Sequence, residues 1–545
     1  MKIAPRLLAA LFVLSIVSTQ EPAAAADAAI QPRARSGGKH ARLRVARRQR
    51  RIIYNDDSEE LAYREAATVD GFLSVRLQPL VDTQVDTICW SALAIWGDAP
   101  VYDSKVQPIF GEAAHGVEPS NRYPYYAPNA ASLIKSGNCP LGIVVNFAHQ
   151  NGMEAFASIR MNDVHDSFVR DIKTIWKREH PELLVTANGN TPVHKLYVTA
   201  QDYAHQAVRD RKFEIIQEIG ERYDVDGFEL DFIRHPVLFS SVFQGGIATA
   251  AEIDIMTNFM RRVRGQLERR ALLRKRPILI AVRIPDTFAK ARRIGLDLET
   301  WLQEDLVDML IVGGGYTPYS LKVSGIVNAA HQHDVLVYPC LNWGPLRDVA
   351  SEEHFHLAAR ALATKWRRAG ADGVHLWNLG TSFLHQRGDA MHRQRLHYYQ
   401  CLYDIGALAT LEQRDRLYVV DGPVFAPYVF VTTTPSLPAT LKPSRRRRLA
   451  IDIADEVKTT AGRLDHARLE VTVKGGTEGT TLKWNDRDLS DVAHVARGQS
   501  GRTSLLKVRV PIDMLQNGAN QLMVTAGQEE LLIERVHLWL VYARQ

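Results

Sequence analysis

From Arg51 to about residue 412, short β-branched runs alternate with longer amphipathic stretches, a pattern that predicts βα units and a parallel sheet. Eight runs read as strands: Ile52–Asp57, Val85–Ser91, Glu154–Asn162, Tyr223–Pro236, Ile278–Asp286, Val307–Gly313, Val335–Asn342 and Gly373–Asn378. Between them Tyr203–Arg222, Ala251–Arg270 and Glu352–Ala369 carry the 3.6-residue periodicity of helices packed on one face. Val-Asp or Ala-Asp-Gly recurs at the start of strands 2, 4, 6 and 8 and marks the short turn out of a helix. Eight such units predict an α/β fold of the closed (β/α)₈ barrel type over residues 51–412. A long insert after strand 2, Ala92–Asn138, contains Tyr123-Pro-Tyr-Tyr126 and reads as a substrate-facing loop.

Beyond Asp415 the runs shorten and alternate strictly, as in Leu469–Val473, Thr481–Trp484 with the turn Asn485-Asp486, Leu505–Val510 and Gln521–Thr525. No long helical period occurs there, so residues 415–545 are predicted to form an all-β sandwich. Arg445–Arg448 reads as a solvated loop.

Candidate chemistry concentrates in the fourth strand, Asp226-Gly-Phe-Glu-Leu-Asp-Phe-Ile-Arg-His-Pro236. Side chains alternate faces along a strand, so Phe228, Leu230 and Phe232 face a helix layer while Gly227, Glu229 and Asp231 face the barrel interior. Enzymes of this fold keep their chemistry at the C-terminal ends of the strands, which makes Asp231 the leading catalytic candidate. Glu229 lies deeper, where a catalytic role and a buried carboxylate satisfied by a neighbour are equally good readings. The other strand ends bring Asp57, Trp90, Arg160, Asn162, His165, Arg234, His235, Arg283, Asp286, Asn342, Trp343, His375 and Asn378 towards the same rim. Acids beside aromatic platforms and amides suit a sugar ring, with its apolar faces and its hydroxyls in need of fixed partners. Glycosidic cleavage needs two carboxyl groups, one as nucleophile or base and one as proton donor. Asp231 fits the first role. Asp286 is the first choice for the second, ahead of Asp57, Asp163 and Glu229. Arg160, Arg234 and Arg283 either read an anionic sugar through their planar fork or neutralise the acids beside them. No HExxH occurs, the isolated histidines read as hydrogen-bond donors, and neither a metal nor another cofactor is predicted.

Charge and composition refine this. The net charge of +6 over 545 residues is uneven, because the first 51 residues alone carry +9 and leave −3 for the rest. Met1–Arg6, the apolar run Leu7–Val17 and the small residues Ala23–Ala26 have the three parts of a secretory signal peptide, so residues 1–26 are expected to be removed and the protein exported, secreted or periplasmic. Residues 27–50 are expected to be a basic disordered linker. No aromatics interleave with those charges, so nucleic-acid binding is not expected, and no later apolar run is long enough for stable membrane insertion. The four cysteines, Cys89, Cys139, Cys340 and Cys401, match no zinc spacing and read equally well as disulfides or as free buried thiols.

The strand-4 segment, with Asn151-Gly-Met-Glu-Ala-Phe-Ala-Ser-Ile-Arg-Met-Asn162 upstream, resembles the glycosyl hydrolase-like (β/α)₈ barrel family, whose strand 4 reads Asp-Gly-hydrophobic-x-x-Asp-Tyr-hydrophobic-Arg-Tyr-Pro. The chain departs from that pattern at Phe232 and His235. The resemblance implies action on glycans and puts the family's strand-4 acid on Asp231. Val510–Leu522 is similar to the strand-turn-strand that closes jelly-roll modules of glycoside hydrolases. A family 18 chitinase pattern fails, because its proton-donating acid falls on Ile233. The expected function is a secreted glycoside hydrolase cleaving a glycan, sulfated or uronate-bearing if the three arginines face substrate. The competing readings are a carbohydrate-binding barrel without catalysis and a polysaccharide lyase.

Overall fold

The computed structural model describes residues 39–93, 98–110, 129–167, 172–187, 197–314, 321–379, 397–422, 435–457, 463–489, 494–497 and 503–543. The expected signal peptide, the first part of the expected linker and Tyr123–Tyr126 lie outside them. Eight parallel strands close a barrel in sequence order: β1 (Ile52–Asp56), β2 (Val85–Ser91), β3 (Glu154–Arg160), β4 (Gly227–Asp231), β5 (Leu279–Ile284), β6 (Met309–Val312), β7 (Leu336–Asn342) and β8 (Val374–Trp377). This is the predicted α/β barrel. The helices Gln206–Arg222, Ala250–Arg274 and Phe355–Arg368 stand where the periodicity puts them.

Two apolar populations arise from the alternation. Outward residues such as Ile88, Phe228, Leu230 and Val282 pack with the helices, while Ile53, Cys89, Phe156, Leu279, Met309, Ile311 and Tyr338 fill the barrel's lower interior. Gly227 faces that interior, and a Cβ there would lie 2.6 Å from the Phe156 ring, so no larger residue fits without a shift. The aspartates that open the even strands have a common task. Asp86, Asp226, Asp308 and Asp372 each accept the backbone N–H of the strand before them, from Arg51, Ala155, Ile280 and Val337 at 2.6 to 2.9 Å. Strand entry is thereby pinned by a charge-assisted bond at four places around the N-terminal rim.

The linker expectation is corrected over residues 39–50. Lys39–Ala46 is a helix, Arg42 and Ala46 are buried, and Ala46 joins the barrel's interior cluster. Arg42 pairs with Asp305 and Asp308, and fully buried Arg50 grips Glu154 through two bonds of 2.7 and 3.0 Å. The basic run looked self-repelling, but acids on the barrel's lower rim neutralise it, and the segment closes the bottom of the barrel.

The C-terminal region is the predicted sandwich. One sheet contains β10 (Ala439–Leu441), β18 (Leu531–Tyr542), β12 (Leu464–Gly475), β16 (Thr503–Val510) and β15 (His494–Arg497), with β9 (Arg416–Val419) also paired to β18; the other runs β11 (Arg446–Ile453), β17 (Gly518–Thr525), β13 (Thr481–Trp484), β14 (Arg487–Asp488). Arg446–Arg448 are the exposed start of β11 and not a loop. Barrel and sandwich share apolar packing: Trp539 of β18 belongs to the barrel's helix-layer cluster, and Ala361 of the barrel belongs to the sandwich core. Among the described residues no helix is long and apolar enough to cross a membrane.

Candidate active site

Asp231 ends β4 on the inner face, 2 % exposed. Its Oδ1 accepts the backbone N–H groups of Ile233 (3.0 Å) and Arg234 (2.9 Å), and its Oδ2 accepts Arg283 Nη2 at 2.6 Å. Arg283, on the neighbouring strand β5, is fully buried; burial disfavours its charge, yet Asp231 outweighs that and holds its pKa above the usual value. The carboxylate is thus fixed in orientation by three donors.

Across the mouth, the residues that follow β1 supply further acids. Asp56 and Asp57 both pair with buried Arg76, at 3.1 and 3.4 Å. Arg160, at the end of β3, joins Asp57 (3.2 Å) to Asp163 (3.0 Å), and Asn378 donates to the same Asp57 oxygen at 2.5 Å. Ser58 takes a left-handed conformation (φ 63°), which turns the chain into a short 3₁₀ segment beginning at Glu59. The Glu59 carboxyl has a buried oxygen without a hydrogen-bond partner. Burial first, then the charge of Asp57, pushes its pKa well above the usual carboxylate range, against the opposing pull of Arg76 and Arg160. Glu60 is raised as well, by burial and Asp56, and accepts Trp90 Nε1 at 2.6 Å.

A third group lies after β3 and β4. His165 Nδ1 bonds Asp163 at 2.9 Å, and Arg234 Nη2 donates to His165 Nε2 at 2.7 Å, so the proton sits on Nδ1. Burial, aided by Arg234, brings His165 down to about 4 despite Asp163. His235 is also held well below its usual value by burial and Arg234, and its Nδ1 lies 3.3 Å from the Val164 N–H. Ligand atoms of Asp163, His165 and His235 lie within 4.8 Å of one another, a spacing compatible with a metal. The donor set does not fit one, because guanidinium groups already occupy Asp163 and His165 and a backbone N–H faces His235 Nδ1. The group acts as a clamp on Arg160 and Arg234.

Several predicted site residues are engaged in internal contacts. Glu229 is fully buried and accepts from Asn55 (2.6 Å), Ser158 (2.7 Å) and His375 Nε2 (2.8 Å). Burial opposes its charge, but His375 and then Arg283 keep its pKa below the usual range. His375, fully buried, also touches Cys340 Sγ at 3.1 Å; burial lowers it, and Cys340 and Glu229 together lift it to about 9. This closed ion pair ties β4 to β8 beneath the mouth. Trp90 points outward, fully buried against Phe72, and offers no sugar platform. Trp343 is packed against Tyr398 and Arg347 in the helix layer. Asn162 spends its amide on the carbonyls of Gln201 and Val237, clamping two loops. Asp286 pairs with Lys290 one turn into the next helix, at 2.8 Å. Asn342 ends β7 on the inner face. All four cysteines are free thiols.

Sequence reading missed two residues. Trp377, at the end of β8, lies beneath the guanidinium groups of Arg283 (5.0 Å) and Arg234 (5.3 Å); its parity with His375 was the available signal. Glu59 lies beyond the strand, where alternation no longer applies.

No family profile matches the chain, and no curated protein matches it. Solved structures similar to it are glycoside hydrolases with barrel folds. The glycoside hydrolase domain of PgaB (BpsB) from Bordetella bronchiseptica has a TM-score of 0.40 and 10% identity, covering 66% of this chain and 99% of that one. A family GH18 chitinase from Chromobacterium violaceum has a TM-score of 0.37 and 10% identity, covering 94% and 90%. The noncanonic maltogenic α-amylase AmyB from Thermotoga neapolitana has a TM-score of 0.34 and 11% identity, covering 88% and 97%.

Proposed function

We propose that the protein is an exported glycoside hydrolase that cleaves a poly- or oligosaccharide with Asp231 as nucleophile or base and Glu59 as proton donor. The observation that carries this reading is the contrast between two carboxyl groups at one barrel mouth. Asp231 is held by a guanidinium and two backbone N–H groups, whereas Glu59 has a bare oxygen in a setting that favours its neutral form. Environments that separate two carboxyl groups in this way assign the acid and the base. In the reaction the Glu59 proton passes to the glycosidic oxygen as the C1–O bond breaks. The developing positive charge at C1 is met by Asp231, directly or through a water that Asp231 deprotonates. Asp286 is the weaker candidate because its carboxylate is already engaged by Lys290 at 2.8 Å. Of the three arginines, Arg160 and Arg283 serve internal acids and Arg234 donates to His165, so the expectation of an anionic substrate is decided by comparing charged and neutral glycans. Incubating the full chain with a glycan panel tests the reading. New reducing ends without an unsaturated-sugar absorbance support it. That absorbance would mean a lyase, and glycan binding without product would mean a non-catalytic barrel.

A further inference from the structure

A second cavity, of about 250 Å³, lies between the loop after β2, the helix Ile175–Glu179 and the helix Gln206–Arg222. Its walls include Val106, Pro108, Ile175 and Trp176, with Gln107, Thr174, Arg211 and the exposed Glu179 as polar residues. Arg211 stacks on Trp176, its guanidinium carbon 4.6 Å from the ring centroid, and donates to Gln107 Oε1. Gln107 is itself fixed by donating to the Asp98 carbonyl at 3.0 Å.

The charge balance of this corner is incomplete. Buried Lys212 has Asp98 at 2.9 Å, and buried Lys177 has Asp166 at 3.3 Å. Arg211 forms no ion pair with a described residue: its side-chain hydrogen bond goes to the neutral amide of Gln107, and Asp98 and Glu214 act on it only from a distance. Asp98, the acid it feels most, is already engaged by Lys212, and burial brings the Arg211 pKa down to about 10. A guanidinium removed from water without a counter-charge is costly, and an incoming anion relieves that cost. Stacking on an indole leaves the edge of the planar fork free to take two carboxylate oxygens. The apolar walls require that the rest of the ligand present an apolar face, and the volume suits about one six-membered ring.

We propose that this cavity binds a small organic carboxylate carrying a single ring, with its carboxylate on Arg211 and its apolar face against Ile175, Val106 and Pro108. The site is separate from the barrel mouth and stands whether or not the chain hydrolyses glycans.

The test is calorimetric titration of the full chain with benzoate, glucuronate and, as the neutral counterpart, glucose. Both carboxylates are expected to bind and glucose is not. Arg211→Gln should weaken both carboxylates by about 10-fold or more, as expected for loss of a charge-assisted fork worth about 1.4 kcal/mol or more. Ile175→Trp fills the cavity and should abolish binding with Arg211 intact, and Asp231→Asn should leave it unchanged, which separates this site from the mouth. Failure of both carboxylates to saturate, equal binding of glucose and glucuronate, or unaltered affinity in folded Arg211→Gln would each overturn the proposal.

Discussion

Arg283 Nη2 donates to Asp231 Oδ2 at 2.6 Å between adjacent strands, with the arginine fully buried and the acid 2 % exposed. Replacing Asp231 therefore does two things at once. Asp231→Asn should lower turnover by about 10³-fold, on the order of 4 kcal/mol of barrier, because the charge facing C1 is gone. It should also destabilise the fold by about 3 kcal/mol, since Arg283 is left buried without its counter-charge. Asp231→Asn combined with Arg283→Met should recover most of the stability and none of the turnover. Kinetics and chemical denaturation of the two variants check this, and near-normal turnover in folded Asp231→Asn would move the reaction elsewhere.

Glu59→Gln mimics the neutral carboxyl without its proton. The natural glycan should be cleaved about 10²- to 10⁴-fold more slowly, the usual contribution of a positioned acid. An aryl glycoside whose leaving group departs without protonation should be cleaved almost as fast as by the parent. Stability at neutral pH should not fall, because the raised pKa means that ionising Glu59 opposes folding. Equal losses on both substrates would remove Glu59 from the acid role and return attention to Asp286.

Arg234, hydrogen-bonded to His165 and stacked over Trp377, offers a test of the anionic-substrate expectation. Arg234→Gln should reduce kcat/KM on a uronate-bearing or sulfated glycan by about 10-fold or more and leave its neutral counterpart nearly unchanged, as loss of a charged hydrogen bond would. A parallel loss on both would mean that Arg234 only supports His165 and Trp377.

The barrel was legible because hydrophobic alternation and the repeated Val-Asp and Ala-Asp-Gly turns report backbone geometry directly. The same alternation put Asp231 on the inner face of its strand. It could not reveal how far along the barrel axis a residue sits relative to its neighbours, so His375 looked like a rim residue although it pairs with Glu229 beneath the rim. Trp90 was misread by counting a strand end without its parity: Cys89 faces the interior, so Trp90 must face outward. The basic segment Lys39–Arg50 looked unstructured because its counter-charges, Glu154, Asp305 and Asp308, are far away in sequence.

The sandwich, which carries no comparable acid cluster, is expected to be dispensable for chemistry but not for stability. A chain cut at Asp415 loses Trp539 from the barrel's helix layer and β9, which packs on the helix Phe355–Arg368. It also loses Arg416, whose buried guanidinium links Thr364 and the Leu411 carbonyl to Asp455. The truncated barrel should aggregate or melt well below the full chain, with residual soluble protein still active on short substrates. Size-exclusion chromatography and thermal melting decide it, and a soluble monomer melting with the parent would show that the shared packing contributes little.

Stability should fall on acidification, for a reason found in four histidines. Burial, the largest cause for each, brings His165, His356 and His537 down to about 4 and holds His235 well below its usual value. Their unfolded forms take up a proton near 6.5, so between about pH 6.5 and 4 the unfolded state binds more protons and stability declines as pH falls. His375 works in the opposite direction: raised to about 9, it holds a proton that the unfolded chain releases near 6.5, so its contribution is complete below that pH and is lost as pH rises through 9. These histidines therefore favour an optimum near neutrality, with up to four protons taken up by them on unfolding on the acid side and about one released by His375 on the alkaline side. His537 tests the assignment. Its Nε2 lies 3.0 Å from the Val349 carbonyl at the contact between sandwich and barrel, beside Arg535, His354 and Glu470. His537→Gln keeps a donor for that carbonyl and removes the titration, so the acid-side slope of urea midpoint against pH should drop by about one proton while the alkaline side stays unchanged. An unaltered acid slope in a folded His537→Gln protein would assign the acid sensitivity to other groups.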